Sequence, residues 1–382
     1  MLGDPICSRF YNYEDYAQLY DLKFAQTRPI GMKHEDLNEK LMPLPVLGFV
    51  PARPIASSHF RQAPWATGDE RWIPSAMTVD ALMKGVTKAT EPLAHYSEVQ
   101  IKRMRDMLTL ELGQYLYGEN VMSEEDAINQ MKWTSSPGFP DYYVANDKRD
   151  AMKKRGDMII ADVRKIMNGA DLWAPFTSTL KDELRPREKV EQQKTRVFNA
   201  SGMRHLIPAT MLCSIMNEKI MNAFQNGKHP VTLGIQVPGS QFVTVVLKCK
   251  DLAHSMDVSG CDQRFPLGPA RAIREFRKAF LPTRFWPVLD WLYDAAYGGD
   301  TIALGIIYRM LHNKSGWLNT GMDNSLMMWC VIYDAFCELY PNLSFKEYVR
   351  FYVNGDDLIF SYKIGIDLKK IVDYLAKYNI TL

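Results

Sequence analysis

The segment Tyr348-Val349-Arg350-Phe351-Tyr352-Val353-Asn354-Gly355-Asp356-Asp357-Leu358-Ile359-Phe360-Ser361-Tyr362 sets two runs rich in aromatic and β-branched residues on either side of Asn-Gly-Asp-Asp. The flanking residues suit pleated strands and Asn-Gly suits a tight turn, so the spacing predicts a β-hairpin. Taken alone, its acidic tip has two readings: a solvated turn, or two carboxylates presented for chemistry.

A second acidic pair bears on that choice. Asp257 ends the strand-like run Ala253 to Asp257, and Asp262 follows five residues on, across Val258-Ser259-Gly260-Cys261. If the two strand ends lie side by side, Asp257 and Asp356 converge. Clustered carboxylates repel one another unless a divalent cation sits between them, and hard oxygen ligands suit magnesium. Two such ions, about 3.5 to 4 Å apart, stabilise both the attacking and the leaving oxygen of an in-line phosphoryl displacement.

A third element is Ser315-Gly316-Trp317-Leu318-Asn319-Thr320-Gly321-Met322-Asp323-Asn324, which leads into an apolar helix through Leu326, Met327, Trp329, Val331 and Ile332. The plain reading is a loop with Asp323 or Asn324 as a helix cap. The functional one is that its hydroxyl and amide groups hydrogen-bond a ribose, whose 2′-hydroxyl separates RNA from DNA. Upstream, Lys181 to Arg196 carries six basic residues against four acidic ones. Such a run is either an exposed ion-paired loop or a set of cations preorganised for a triphosphate. Thr134-Ser135-Ser136-Pro137-Gly138-Phe139-Pro140 is a stiff turn rich in hydroxyls, either a connector or a contact for nucleic acid.

At 382 residues the chain is long enough for one elaborate domain or coupled subdomains, which argues against a peptide ligand or small adaptor. Lysine plus arginine (46) nearly balances aspartate plus glutamate (44), so a nucleic-acid site must be a local patch. The six cysteines are widely spaced, with no zinc-type pairing with each other or with histidine, and predict reduced thiols in a cytosolic compartment. No apolar run is long enough to cross a bilayer and no signal-peptide pattern opens the chain. His205 and His254 read as packing or surface residues.

Residues 1 to about 75 contain Pro43, Pro45, Pro51, Pro54 and Pro64, so an irregular segment that wraps other elements is expected. Apolar spacing predicts helices over 93–117, 147–167, 208–224, 269–280, 284–296, 323–339 and 366–377. The clusters Lys148-Arg149 and Lys153-Lys154-Arg155 on the second read as a solvated face, or less plainly as a phosphate contact. Strands are expected at 196–198, 242–247, 253–257, 302–308, 348–353 and 358–362. Helices and strands without regular alternation favour an α+β fold.

In order along the chain, these segments resemble the motifs of picornavirus-like positive-strand RNA virus RNA-dependent RNA polymerases. Thr134 to Pro140 is similar to motif G, Lys181 to Arg196 to motif F, Asp257 to Asp262 to motif A, Ser315 to Asn324 to motif B, and Tyr352 to Asp357 to motif C. Lys-Asp-Glu-Leu-Arg with Lys-Val-Glu-Gln and Lys-Thr-Arg resembles the picornavirus pattern. Val-Asn-Gly-Asp-Asp and Asp323-Asn324 look closer to potyvirus-like relatives.

The resemblance implies an α+β right-hand polymerase of fingers and palm, with an antiparallel-sheet palm core. Residues 1–212 would form fingers with an N-terminal fingertip segment, 213–294 palm, 295–314 a fingers insertion and 315–382 palm. Because the chain stops where motif D begins, the thumb is expected to be largely absent and the chain to be a C-terminally truncated piece. Asp257 and Asp356 would bind two magnesium ions, for which manganese could substitute, with Asp357 a weaker ligand. Asp262, Ser315, Thr320 and Asn324 would read the ribose, Lys181, Arg185 and Arg196 would hold the triphosphate, and Glu183 would brace them. Thr134, Ser135, Gly138, Pro140 and Gly316 would line the template path.

The implied reaction is attack of a primer 3′-oxygen on the α-phosphate of an NTP, in viral replication complexes of the host cytoplasm. Template RNA, primer RNA and NTPs are the implied partners, with room for a protein primer and other viral replication proteins. Two other functions fit parts of the pattern: a truncated RNA- or NTP-binding module without its own activity, and a reverse transcriptase. Asn354-Gly355 before the aspartates, and Asp262 with Asn324, argue against the latter. Trp317 is bulky where many relatives carry a smaller residue, which bears on how that loop moves.

Overall fold

A computed structural model of the chain describes residues 72–88, 94–225, 232–233, 249–258, 267–303 and 306–381. The expected strand at 242–247, most of the proline-rich N-terminal segment and Asp262 lie outside the described residues.

Among them the order is β1 (Trp72–Pro74), α1 (Val79–Lys88), α2 (Glu98–Leu112), α3 (Glu124–Asn129), α4 (Lys148–Met167), β2 (Phe176–Leu180) and β3 (Leu184–Pro186). Next come α5 (Arg187–Glu191), β4 (Val197–Ala200), α6 (Met203–Gln225), β5 (Thr232–Leu233), β6 (Leu252–Asp257), α7 (Leu267–Lys278) and α8 (Trp286–Gly298). The chain continues through β7 (Asp300–Ala303), β8 (Ile306–Arg309), α9 (Thr320–Leu339), α10 (Phe345–Tyr348), β9 (Val349–Asn354), β10 (Asp357–Tyr362) and α11 (Leu368–Ala376).

The mixture of helices and sheets is the α+β class that the unalternating pattern predicts. One four-stranded sheet runs β5-β9-β10-β6 and carries the Asn-Gly-Asp-Asp hairpin. A second runs β4-β2-β7-β8, and β1 pairs with β3.

The helices form where apolar spacing meets a cap. Ser97 and Gln100 close a reciprocal capping box at the start of α2, and Asp147 caps α4 by accepting the Asp150 N–H. The main core gathers Met104, Leu108 and Leu112 of α2 against Leu212 and Met216 of α6, Ile273 and Phe276 of α7, Leu289 and Leu292 of α8 and the apolar residues of α9. Val353, Leu358 and Phe360 join it from the hairpin, so the sheet that presents the acidic tip has one face on the core.

Several expectations need correcting. The single strand expected at 302–308 is an antiparallel pair, with Ala303 opposite Ile306. Helix α6 begins at Met203 rather than at Pro208 and runs through the proline. Lys148 is neither a solvated face nor a phosphate contact: it is buried, and its ammonium reaches Ser135 Oγ at 2.5 Å and the Ser136 carbonyl at 2.9 Å. Lys154 does behave as a surface residue, pairing with Asp150 one turn away.

Cys213, Cys249, Cys330 and Cys337 are free thiols among the described residues. No described helix is long and apolar enough to cross a membrane.

Candidate active site

The hairpin closes at Asn354 opposite Asp357, leaving Gly355 and Asp356 as its two turn residues. Gly355 has φ of 67° and Asp356 is not among the positive-φ residues, the pattern of a type II′ turn with glycine in first place. Strand β6 then pairs antiparallel with β10 so that Asp257 stands directly opposite Asp357. Directly opposed residues share a face of an antiparallel sheet. The Val258 N–H donates to the Asp356 carbonyl at 3.3 Å, so all three aspartates belong to one end of the sheet.

All three are exposed, and no described residue forms an ion pair with any of them. Among the described residues, no group of three His, Cys, Asp or Glu gathers closely enough to hold a metal by itself. The donor set nevertheless suits a hard divalent cation: it is oxygen only, anionic and open to water.

Ser325 joins the tip to the neighbouring helix. Its hydroxyl accepts the Gly355 N–H at 2.8 Å while donating to the Gly321 carbonyl at 2.9 Å, so the start of α9 is fixed against the carboxylate turn. Sequence reading passed over this residue, because a serine inside an apolar helix carries no local sign of a partner 30 residues away.

The loop before α9 lies along β4. Ser315 Oγ accepts the Asn199 N–H at 3.2 Å, Ala200 and Gly316 form a parallel bridge, and Ser201 Oγ donates to the Gly316 carbonyl at 3.1 Å. A Cβ on Gly316 would lie 1.9 Å from the Asn199 carbonyl oxygen. Gly316→Ala must therefore push two backbones apart, and a stability loss of about 1–3 kcal/mol is expected. A thermal melt that overlays the wild type would show that the loop does not seat on β4 as described. Thr320 Oγ donates within the loop, to the Lys314 and Trp317 carbonyls, each at 3.0 Å.

Beneath the loop is a buried polar cluster. Asp323 does not cap the helix: it sits inside the first turn, fully buried, with Arg277 Nη2 at 3.0 Å on one oxygen and Tyr297 Oη and Trp317 Nε1, each at 3.2 Å, on the other. Asn324 is not the cap either, since α9 starts at Thr320. Trp317 is thus an internal pin, packed edge-on against His205 and Tyr293. His205 is the packing residue expected of it. Burial pushes its imidazole down to about 4, its Nε2 meets the Leu292 carbonyl at 3.1 Å, and it remains neutral. His254 lies exposed on β6, stacked on Tyr362.

The basic segment folds as β3, α5 and the approach to β4, with Glu183 at its centre. Glu183 meets Arg185 at 3.0 Å, Lys181 at 3.3 Å and Arg196 at 3.5 Å. Burial works against the Glu183 charge, but Arg185, Arg196 and Lys181 outweigh it and hold the carboxyl below its usual range. Lys181 and Arg196 remain half or more exposed, so their charges stay available to a ligand. Residues 75–78 strap this segment through Ser75 to the Lys181 carbonyl and Thr195 to the Ala76 carbonyl.

The Thr134–Pro140 turn packs on the residues just after β4. Met203 N donates to the Pro137 carbonyl at 3.1 Å, and a Cβ on Gly138, whose φ is 70°, would lie 2.4 Å from the Ser201 carbonyl oxygen. Thr134 and Ser136 are exposed and Ser135 is partly so, whereas Gly138 and Pro140 are buried and shape the turn from within. Below it, Arg204 bridges Asp141 at 2.5 Å and Asp162 at 2.8 Å, a buried pairing that sequence spacing does not reveal. The hydroxyl-rich turn and the Ser-Gly loop therefore meet along residues 199–203, and the basic segment leads into the same strand at Val197. The carboxylate tip meets the first turns of α9, the helix that this loop leads into, through Ser325.

The exposed aspartate hairpin, the braced basic segment and the Ser-Gly loop are thus carried on one sheet-and-helix frame. The sequence profile described as "Viral RNA-dependent RNA polymerase" matches residues 58–382, and the chain belongs to that family. It is 28% identical over 251 residues to genome polyprotein 1 of barley yellow mosaic virus (isolate Germany), covering 62% of this chain and 10% of the relative. It is 25% identical over 326 residues to genome polyprotein 1 of barley mild mosaic virus (strain Na1), covering 80% and 14%. With the genome polyprotein of human rhinovirus 1B the identity is 22% over 314 residues, covering 76% and 13%. The chain thus spans about a tenth to a seventh of the length of the curated relatives it matches. Both plant-virus and picornavirus polyproteins are among them, as the mixed wording of its motifs implied.

Proposed function

We propose that this chain carries out template-directed RNA synthesis, transferring a nucleotide from an NTP to an RNA 3′ end during replication of a positive-strand viral genome. The observation that carries this is the register that sets Asp257 opposite Asp357 with Asp356 at the adjoining turn, tied through Ser325 to the helix bearing Asn324. Family membership supports the same reading.

In this reading Asp257 and Asp356 hold two magnesium ions, with Asp357 a lesser ligand. The bound ions supply charge neutralisation and Lewis acidity at the reacting phosphate. The remaining work falls to the chain itself. Lys181, Arg185 and Arg196, braced by Glu183, bind the triphosphate and orient it. Asp262, Ser315, Thr320 and Asn324 read the sugar. Thr134, Ser135, Gly138, Pro140 and Gly316 form the wall along which the template runs, with base pairing supplying sequence choice.

The sheet β5-β9-β10-β6 would be the palm and the segments before it the fingers of a right hand. Helices α6 and α8 run unbroken through the boundaries expected at 212/213 and 294/295, so each belongs to both sides of its boundary. Action in replication complexes of the host cytoplasm follows from this reading.

The test is incorporation of labelled NTP on a primed RNA template with magnesium or manganese. Product complementary to the template, lost on chelation and not formed from dNTPs, is expected. Product made without template, or made preferentially from dNTPs, would sink the proposal.

A further inference from the structure

Ser75 is the first residue past β1, and it is buried. Strand β1 runs antiparallel to β3 with Ile73 opposite Arg185 and Pro74 opposite Leu184, which brings Ser75 level with Glu183. There it clamps a turn of the basic segment. Its main-chain N–H donates to the Glu183 carbonyl at 2.9 Å, its hydroxyl donates to the Lys181 carbonyl at 2.8 Å, and the same hydroxyl accepts the Glu183 N–H at 3.3 Å. A hydroxyl both donates and accepts, so one small side chain holds both ends of Lys181-Asp182-Glu183.

The clamp reaches each cation that meets Glu183. Lys181 is held by its carbonyl, and its own N–H donates to the Arg196 carbonyl at 2.8 Å. Arg185 lies on β3, beside the strap, with its Nη1 on Glu183 at 3.0 Å. The next strap residue holds the far end of the segment: the Ala76 carbonyl accepts Thr195 Oγ1 at 2.7 Å, one residue before Arg196. Ser75 and Ala76 thus tie together the two ends of a loop that turns back on itself. Cations on such a loop favour a polyanion most when they are already in place, because ordering them otherwise becomes part of the cost of binding.

We propose that Ser75 is a positioning residue for the triphosphate: through its hydroxyl it fixes the Lys181–Glu183 turn and so keeps Lys181, Arg185 and Arg196 where a triphosphate needs them. The proposal rests on the polymerase reading and deepens it. Nucleotide affinity then depends on a buried residue 106 positions before Lys181 that acts through the turn rather than on the nucleotide. Ser75→Ala keeps the main-chain bond to the Glu183 carbonyl and removes only the hydroxyl. The Lys181 carbonyl and the Glu183 N–H lose their partner, and the Glu183 carboxylate shifts relative to the three cations it braces.

The experiment measures KM for ATP on a primed RNA template, the Ki of inorganic tripolyphosphate against ATP and the Kd for the primed template, in the wild type, Ser75→Ala and Ser75→Thr. Tripolyphosphate has neither base nor sugar, so it reports on the cations alone. In Ser75→Ala both KM and Ki should rise about tenfold or more, the cost of charges displaced by a fraction of an ångström, while the Kd for RNA stays within about twofold. Ser75→Thr, which keeps the hydroxyl, should lie much nearer the wild type. In a Glu183→Gln background Ser75→Ala should add little, since the brace through which it acts is gone. An unchanged Ki in a folded Ser75→Ala protein overturns the proposal. Equal losses of affinity for tripolyphosphate and for RNA also sink it, because they mean general loosening. Should Ser75→Ala show no cooperative melt, Ser75→Cys takes its place, its thiol being a weaker donor and acceptor, and an unchanged Ki there is equally fatal. If the wild type makes no product, the polymerase reading has failed. Ser75 is then judged by equilibrium binding of tripolyphosphate with magnesium: weaker binding in Ser75→Ala supports the inference, and equal binding, or none in either protein, overturns it.

Discussion

Asp356→Ala is expected to lower nucleotide incorporation at least a hundred- to a thousandfold while shifting the melting temperature little. Asp356 is exposed at a two-residue turn, and the contacts that shape the turn are main-chain ones: Asn354 opposite Asp357, and the Val258 N–H on the Asp356 carbonyl. Alanine keeps all of these, and substitutions at such surface positions change stability by about 0.5 kcal/mol or less. Removing an anion from the point where charge must be balanced during phosphoryl transfer is another matter. Deleting a single preorganised electrostatic partner costs on the order of a hundred- to a thousandfold in rate. Asp357→Ala should cost less, since the proposal gives it the lesser share. Single-turnover extension of a primed template measures both. An Asp356→Ala protein that melts normally and keeps more than about a tenth of the rate would show that the tip is only a solvated turn.

The second large effect is on stability. Asp323→Ala leaves Arg277 fully buried without its carboxylate, and also removes the acceptor for Tyr297 and Trp317. Breaking one side of such a pair costs about 3–5 kcal/mol, because the remaining charge is stranded in a medium that solvates it poorly. At about 2.1 cal/mol/K of unfolding entropy per residue, each kcal/mol corresponds to roughly 1–1.5 °C in a chain of 382 residues, so the melting temperature should fall by about 4–6 °C. Replacing both partners, with Asp323→Leu and Arg277→Met, should recover much of that loss, since no charge is then left unpaired. Scanning calorimetry on the three proteins tests this. A drop under about 2 °C in Asp323→Ala would mean that the pair is solvated or dispensable.

The parts of this molecule that were legible in the sequence are those written within a few residues. The β9–β10 hairpin has its strand residues and its turn side by side. Helices α2, α4, α7, α8 and α9 repeat their apolar residues at helical spacing, and their ends fall within a few residues of the expected ones. Strand β2 was missed because three of the five residues of Phe-Thr-Ser-Thr-Leu carry hydroxyls, and its place is fixed by β4 and β7 rather than by its own composition. The paired strands β7 and β8 were merged because two short apolar runs around one glycine read as a single longer run.

The candidate site was legible as a list of side chains but not as an arrangement. Asp323 looked like a cap because aspartates near helix starts usually are caps, and its partner Arg277 is 46 residues away. Ser325 and Lys314 carried no local sign at all. Their places are set by what the fold brings to them: a hairpin N–H for Ser325, and for the buried Lys314 the carbonyls at the C-terminal end of α8. Lys148 was misread for the same reason, since a lysine in a charged run gives no hint that a turn folds back over it.

Strand β4 is only four residues long, yet the basic segment enters it at Val197, the Ser-Gly loop bridges it at Ala200 and the hydroxyl-rich turn rests on the residues that follow. That makes it a ruler for sequence drift. Insertions among the exposed residues of α5 lengthen a tip and leave both ends in place. One residue gained or lost between Val197 and Ser201 alters the side-chain alternation and the distance between three groups at once, so related chains should vary freely in length before this strand and hardly at all within it.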